Sequence, residues 1–437
     1  MEIIVILILA FGFRLIGIGQ SLWLDEAISA NVAKMPIGEI LKNFSVGDFH
    51  PPIFYWFLNL WTKFFGSNVI ALRLSSVLFS LITIYFVYLI GKKIKNKKIG
   101  ILAALFLTLN PLFIYYSQEL RMYSMATMWL MIGLYYFIKI KNKKYNIRDL
   151  VIFNLMMGLA FGTFYGSIFL IASFTTYFLI KKEWKLFWLT NIGTGLAIIM
   201  LTPLLLIQVK NSQIMLVQVT NWMLVLGKVN LKNLLLIPIK FGIGRISFYP
   251  KVWYYLIGGI WSLIILGLVL KNKKESNWLK IFLVMPIILG ILFSIKSPLL
   301  QYFRFLYLVP IMALVLAINC DKNWQKILTG GGFLIFSLMY LLNPNYYRED
   351  WKSVVGHISD DRSQVYMISS FSDPIKFYDP NIQISDIRGP ISDDEIEVIP
   401  YGELIHGVDH AKILTNFGYK MVEQKNFREM ELEKWKK

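Results

Sequence analysis

The sequence predicts an all-α polytopic membrane protein closed by a small soluble α/β domain. Three observations carry this. Of the 437 residues, 56% are hydrophobic and 16% charged, with a mean hydropathy of +0.55. A soluble chain of this length would carry far more charge. The apolar residues fall in repeated long runs separated by short Lys/Asn clusters, the pattern of successive membrane spans. Charge is also divided along the chain. Residues 343–437 hold 12 Lys/Arg against 17 Asp/Glu, a net of −5, whereas the preceding residues hold 33 against 10, a net of +23. The formal charge of +18 is therefore no nucleic-acid footprint. Its bases lie mostly in loops between apolar runs, as the positive-inside rule requires, and no nucleic-acid partner is expected.

The elements follow in order. The first run, 3–19, begins after Met1-Glu2, without a basic leader or a small-residue cleavage site, and reads as a retained span. Further spans are predicted at 69–90, 99–116, 121–139, 150–163, 165–180, 186–207, 252–270, 279–296, 302–319 and 326–342. The stretch 150–180 is too long for one simple span and is broken near Gly162, Thr163 and Gly166. Splitting it gives eleven spans. The apolar, amphipathic stretch 208–251 either lies along the bilayer surface or adds two crossings, making thirteen. The single cysteine, Cys320, excludes an internal disulfide and a cysteine-rich metal site.

Orientation tests the division. Five basic loops are centred on Lys92–Lys98, Lys139–Arg148, Lys181–Lys185, Lys271–Lys280 and Lys322–Lys326. With eleven spans all five fall on one side, expected to be the cytoplasm. The loop 20–68, the hairpin around Tyr116–Arg121 and the tail after Leu342 then lie outside. This divides the chain into a transmembrane domain, 1–342, and an extracytoplasmic soluble domain, 343–437. In the latter, strand-length runs at 364–368 and 396–399 follow a helix beginning near Asp350.

Acids are scarce before residue 343, and their placement is uneven. Asp149, Glu183, Glu275 and Asp321 fall in the basic loops and read as solvated charges. Asp25, Glu26, Glu39, Asp48 and Glu119 fall outside, and three of them sit at span ends, where an acid needs water or a partner. Asp25-Glu26 is either a helix cap pair or a general base or metal ligand at a hydrophilic mouth. Asp48 and His50 stand before the rigid Pro51-Pro52, which can present both side chains in a fixed direction. In Tyr116-Ser117-Gln118-Glu119-Leu120-Arg121-Met122-Tyr123, Glu119 and Tyr123 share a helix face. This turn is either a hairpin cap with a Glu–Arg contact or a site in which Arg121 meets an anion. Arg304 opens a span at the outer end. Its planar fork suits a phosphate, although interfacial snorkelling accounts for it equally. Arg14, inside the first span, needs a partner or water.

Four of these segments, in order, resemble the GT-C superfamily of polytopic glycosyltransferases, and within it family 39, the protein O-mannosyltransferase and aminoarabinose transferase group. They are Leu22-Trp23-Leu24-Asp25-Glu26-Ala27, His50-Pro51-Pro52-Ile53-Phe54-Tyr55, Ala71-Leu72-Arg73-Leu74-Ser75-Ser76 and Tyr116–Tyr123. Asp350-Trp351-Lys352 resembles a signature opening the tail of many relatives. The likeness is strongest over 20–125. One departure stands out: many relatives carry a histidine before the tyrosine of the broken span, where this chain has Phe164-Tyr165.

The resemblance implies transfer of a sugar from a polyprenyl-phosphate carrier to an acceptor hydroxyl on the extracytoplasmic face, with inversion. Asp25, Glu26 and Glu119 are the catalytic candidates, with Asp25 as base. His50, Asp48, Arg121, Tyr123, Arg304 and Tyr165 are the substrate-binding candidates. A divalent cation (Mg, Mn or Zn) held by Asp48, Glu119 and His50 is a candidate cofactor; no organic cofactor is expected. The partners are a polyprenyl-phosphate-linked sugar, a glycan, lipid or protein acceptor, and membrane lipids. The rival readings are a transporter or flippase of lipid-linked sugars, and a scaffold subunit whose tail binds partners.

Overall fold

The structure, a computed structural model, describes residues 1–361 and 364–437. Its membrane part is built from α1 (Glu2–Leu15), α2 (Leu24–Val32), α3 (Ile53–Phe65), α4 (Val69–Ile94), α5 (Lys97–Leu109), α6 (Pro111–Ser117), α7 (Tyr123–Lys141) and α8 (Ile147–Thr163). It continues with α9 (Ile168–Ile180), α10 (Trp184–Gln218), α11 (Leu231–Ile243), α12 (Lys251–Leu270), α13 (Lys274–Ser294), α14 (Leu308–Asn319) and α15 (Asn323–Leu342). Asparagine sets five of the starts. The side-chain oxygens of Asn68, Asn96, Asn110, Asn146 and Asn230 each accept from a backbone N–H three residues on, satisfying donors that the helix cannot. Asn110 also ends α5. With Pro111 next in the chain, it turns the path by 67° into α6.

All eleven predicted segments are helical. Among the described residues, five helices are individually long and apolar enough to cross a bilayer: α4, α10, α12, α13 and α15. The bent pair α5–α6 makes a sixth. The others are shorter or more polar, for a physical reason seen in α14. Its 12 residues, about 18 Å of helix, are all buried inside the protein, so its apolar character serves packing rather than lipid contact. By contrast, only 17% of the most apolar stretch of α10 is buried, and residues such as Trp188, Ile199 and Met200 are left facing the lipid. The predicted break lies at Phe164, extended between α8 and a short 3₁₀ turn, Tyr165–Ser167. The stretch 208–251 holds the end of α10, a short helix Trp222–Leu226, and α11.

Ion pairs gather the basic loops at one end of the bundle. Lys95 pairs with Glu275, Lys97 with Glu2, Lys143 with Glu183, and Lys273 with Asp321. Lys141 lies 4.2 Å from the Trp278 ring and joins the second loop to the fourth. The four acids read as solvated charges are thus ion-paired, Asp149 through Lys139 at 2.7 Å.

The tail begins with α16 (Trp351–Asp361), whose Trp351 is fully buried. A five-stranded mixed sheet follows, with β1 (Val365–Met367), β2 (Ile384–Asp386), β3 (Glu395–Val398), β4 (Lys420–Phe427) and β5 (Met430–Lys436) in the order β2-β1-β3-β5-β4. β1 runs parallel to β2 and β3, while β5 is antiparallel to β3 and β4. The tail packs directly on α2. The Tyr378 hydroxyl accepts from the Leu22 N–H at 2.8 Å, Lys352 N–H donates to Ser21 Oγ at 3.0 Å, and Asn31 donates to Asp373 Oδ1 at 2.9 Å.

Candidate active site

The site forms where α2, the loop before α3, the turn between α6 and α7, and the tail meet. Asp25 and Glu26 stand in the first turn of α2, where the positive helix end favours carboxylates. Their surroundings divide them. Glu26 is 2% exposed. Its Oε1 accepts from Arg73 Nε at 2.9 Å and from the Leu120 N–H at 2.7 Å, and its Oε2 from Arg73 Nη2 at 2.5 Å. Arg73 also donates to the carbonyls of Ile18, Gln20 and Ser21. This ion pair pins α2 to α4 and to the 118–122 turn, and neither carboxylate oxygen is free. Asp25 keeps 36% of its side chain exposed. Arg121 steadies it, with Nη2 3.6 Å from Oδ2 and Nη1 donating to the Asp25 carbonyl at 3.3 Å.

Asp48 and His50 pair as their spacing allowed: His50 Nδ1 lies 3.1 Å from Asp48 Oδ1, and Tyr55 donates its hydroxyl to Oδ2 at 2.8 Å. Burial opposes ionisation of Asp48, but His50, Arg121 and the Tyr55 hydroxyl outweigh it and hold the carboxyl at about 2. Tyr165 lies further off. It donates to Gln208 Oε1 at 2.8 Å, and Gln208 Nε2 donates to the backbone carbonyls of Ser45 and His50. Tyr165 therefore braces the loop from behind. Arg304 donates to the Leu226 carbonyl at 3.1 Å. Tyr123 packs edge-on to Tyr116, Phe303 and Phe164, so the Phe164 ring at the break is a packing element.

Glu119 lies in the turn between α6 and α7, 4% exposed, with both carboxylate oxygens lacking a hydrogen-bond partner. Burial, then the negative charge of Glu26, pushes it up to about 8. The groups facing it were not evident from the sequence. Arg245, before α12, and Arg348, after α15, both donate to the Tyr115 hydroxyl, the second at 2.9 Å. Arg348 lies 3.6 Å from the Trp23 ring centroid and 4.0 Å from Glu119 Oε1. Two guanidinium groups sharing one phenol oxygen form a compact cationic pair, with Arg348 between Trp23 and Glu119. The only hints were an arginine two residues before the Asp350 signature and a lone arginine in an apolar stretch.

The proposed metal ligands do not converge. Among the described residues, no group of three His, Cys, Asp or Glu side chains could hold an ion. Asp48 and His50 face each other, whereas Glu119 faces Arg348.

Comparison with known proteins bears on the class. The family model for dolichyl-phosphate-mannose-protein mannosyltransferases matches residues 49–209. The undecaprenyl phosphate-alpha-4-amino-4-deoxy-L-arabinose arabinosyl transferase of Wigglesworthia glossinidia brevipalpis is 32% identical over 136 residues, 30% of this chain and 24% of that protein. The alignment thus spans about a quarter of that relative. The crystal structure of ArnT from Cupriavidus metallidurans bound to undecaprenyl phosphate superposes with a TM-score of 0.62 at 12% identity, covering 99% of this chain and 97% of that one. The oligosaccharyltransferase of Archaeoglobus fulgidus, solved with Zn and sulfate, gives 0.55 at 12% identity, covering 89% and 62%. The chain is thus a polytopic membrane protein that shares its fold with these solved structures. Its sequence is similar to the mannosyltransferase family model over residues 49–209, and its fold is similar to that of ArnT over nearly the whole chain.

Proposed function

We propose that the chain transfers a sugar from a polyprenyl-phosphate carrier to an acceptor hydroxyl, with Asp25 as the base. One observation carries this: Asp25 alone among the clustered carboxylates keeps an open face, 36% exposed against 2% for Glu26, 16% for Asp48 and 4% for Glu119. A base must reach the proton it takes. Asp25 accepts the acceptor's hydroxyl proton as the oxygen attacks the anomeric carbon. The bond from that carbon to the phosphate oxygen breaks, and the carrier phosphate leaves with the electron pair. Arg245 and Arg348 neutralise the charge that develops, with Arg121 and Arg304 at the margins. Displacement from the opposite face inverts the anomeric carbon.

Glu26 serves as a positioning residue, holding Asp25 in place through Arg73. Glu119, buried and held protonated at neutral pH, closes the inner wall of the site beside the arginine pair. No step runs through a divalent cation, since Asp48, Glu119 and His50 do not share a site. The eleven-span reading, with the basic end in the cytoplasm, puts the site and the tail domain on the outer face. The test is transfer of labelled sugar from a panel of polyprenyl-phosphate sugars in membranes holding the wild type or Asp25→Asn. Transfer by the wild type and its loss in the variant are expected. Carrier flipping without transfer by the wild type would favour the transporter reading instead.

A further inference from the structure

The tail carries a cavity of about 500 Å³ that the transfer reaction as described does not use. Tyr401, Phe427 and Pro400 supply apolar and aromatic wall, Asn426 is polar, and Glu429 and Glu431 are acidic; among the described residues no basic side chain lines it. The strand β4 turns into β5 through Arg428-Glu429, and Glu429 takes a left-handed backbone conformation, φ 54°, which costs a non-glycine residue energy. Behind the wall stands Glu349. It is buried to more than nine-tenths; its Oε1 accepts the Tyr401 hydroxyl at 3.1 Å, and its Oε2 has no partner. A buried carboxylate oxygen without a donor is costly unless something arrives to supply one.

The nearby bases are already engaged. Arg428 donates to the Arg348 carbonyl at 2.8 Å and faces Asp350, while Arg245 donates to Tyr115. Adjacent residues connect the cavity to the reaction centre: Arg348 lies on Trp23, two residues before Asp25, and Glu349 holds Tyr401. The donor's lipid enters from the bilayer, so a cavity in the soluble tail faces the opposite reactant.

Resting on the transferase reading, we infer that this cavity is the acceptor subsite and that it selects an acceptor carrying a protonated amine near its hydroxyl, of the amino-sugar class. The ammonium meets Glu429 on the cavity wall, and the ring lies against Tyr401 and Phe427. A neutral sugar would use the aromatic wall but leave the carboxylates without a charged partner.

The probes are D-glucosamine and N-acetylglucosamine, titrated at pH 7 into the detergent-solubilised full-length protein and followed by saturation-transfer NMR. The expected result is a preference for glucosamine of roughly tenfold, from one charge-assisted contact, lost in Glu429→Gln. Glu429 is exposed at a turn tip, so this variant keeps the test usable even where Glu349→Gln does not fold. Equal affinity for the two sugars, no binding of either, or a preference that survives Glu429→Gln overturns the inference. Labelled transfer separates the two failures. Transfer without amine preference removes only this subsite, whereas amine preference without transfer from any donor removes the transferase reading.

Discussion

At the residue scale, two neighbouring acids have different roles because their surroundings differ. Asp25 is open and steadied by one arginine, while Glu26 is enclosed and fully bonded. Replacing Asp25 by Asn removes the proposed base with almost no change of shape. Transfer should fall by about 10²–10⁴-fold while the protein still inserts and purifies; a variant retaining wild-type turnover would refute the assignment. Glu26→Gln should behave in the opposite sense. It leaves the Arg73 charge buried without its counterion, a loss of roughly 3–5 kcal/mol for such a pair. The thermal midpoint in detergent should drop sharply, and an unchanged midpoint would mean that the pair holds nothing together. The adjacent acids were visible in the sequence, but their division of labour was not. Arg73 lies 47 positions from Glu26 inside an apolar run, and nothing local reveals that the two meet.

At the element scale, the helices pack where side chains are absent. A Cβ on Gly91 of α4 would sit 2.8 Å from the Cα of Gly100 in α5, so the backbones of this hairpin approach more closely than any larger residue allows. Gly91→Ala should therefore cost about 1–3 kcal/mol through overpacking. Detergent thermostability measures it, and a neutral result would show that the hairpin yields at this contact. The asparagine starts and the break in 150–180 were legible, because capping and chain interruption are local. Helix length was less so. The enclosed α14 reads in sequence like a lipid-facing span, since burial in protein and burial in lipid select the same residues. Strands β4 and β5 escaped notice because their alternation is interrupted by charges and their pairing is a tertiary event.

At the scale of the whole molecule, the tail and the membrane part share the site. Arg348 and Glu349, between the last membrane helix and α16, enter the reaction region at the start of the tail. A clash-free weakening of that union is Tyr378→Phe, which deprives the buried Leu22 N–H of its acceptor. Roughly 1–3 kcal/mol of stability should be lost. Transfer should decline with it, and undiminished stability would show the tail to be held elsewhere. The tail also has its own pH dependence. His410 lies between Glu403 at 2.8 Å and Glu433 at 2.7 Å. Burial opposes its charge, but the two carboxylates prevail and raise it from 6.5 to about 9. Because folding raises this pKa, the stabilisation is complete below about pH 6.5 and is lost as pH climbs through about 9. Unfolding midpoints should fall between pH 7 and 10, and His410→Gln should flatten that fall; identical curves for both proteins would remove the role.

The sequence by itself determined the solvent for each stretch of chain: apolar runs for the bilayer, basic loops gathered at one end, the Asp25, Glu26, Asp48 and Glu119 set at the other, and an acidic tail. These follow from composition and local order, because the cost of placing a charge in lipid or a span end without a cap is paid residue by residue. Only the tertiary structure decided which acid stays open, which arginines face it, and that the tail closes over the site. Glu26 finds Arg73, and Arg245 and Arg348 converge on Tyr115, across separations of 47, 130 and 233 residues. Contacts of that range are set by how the helices pack against one another, which no local pattern in the chain records.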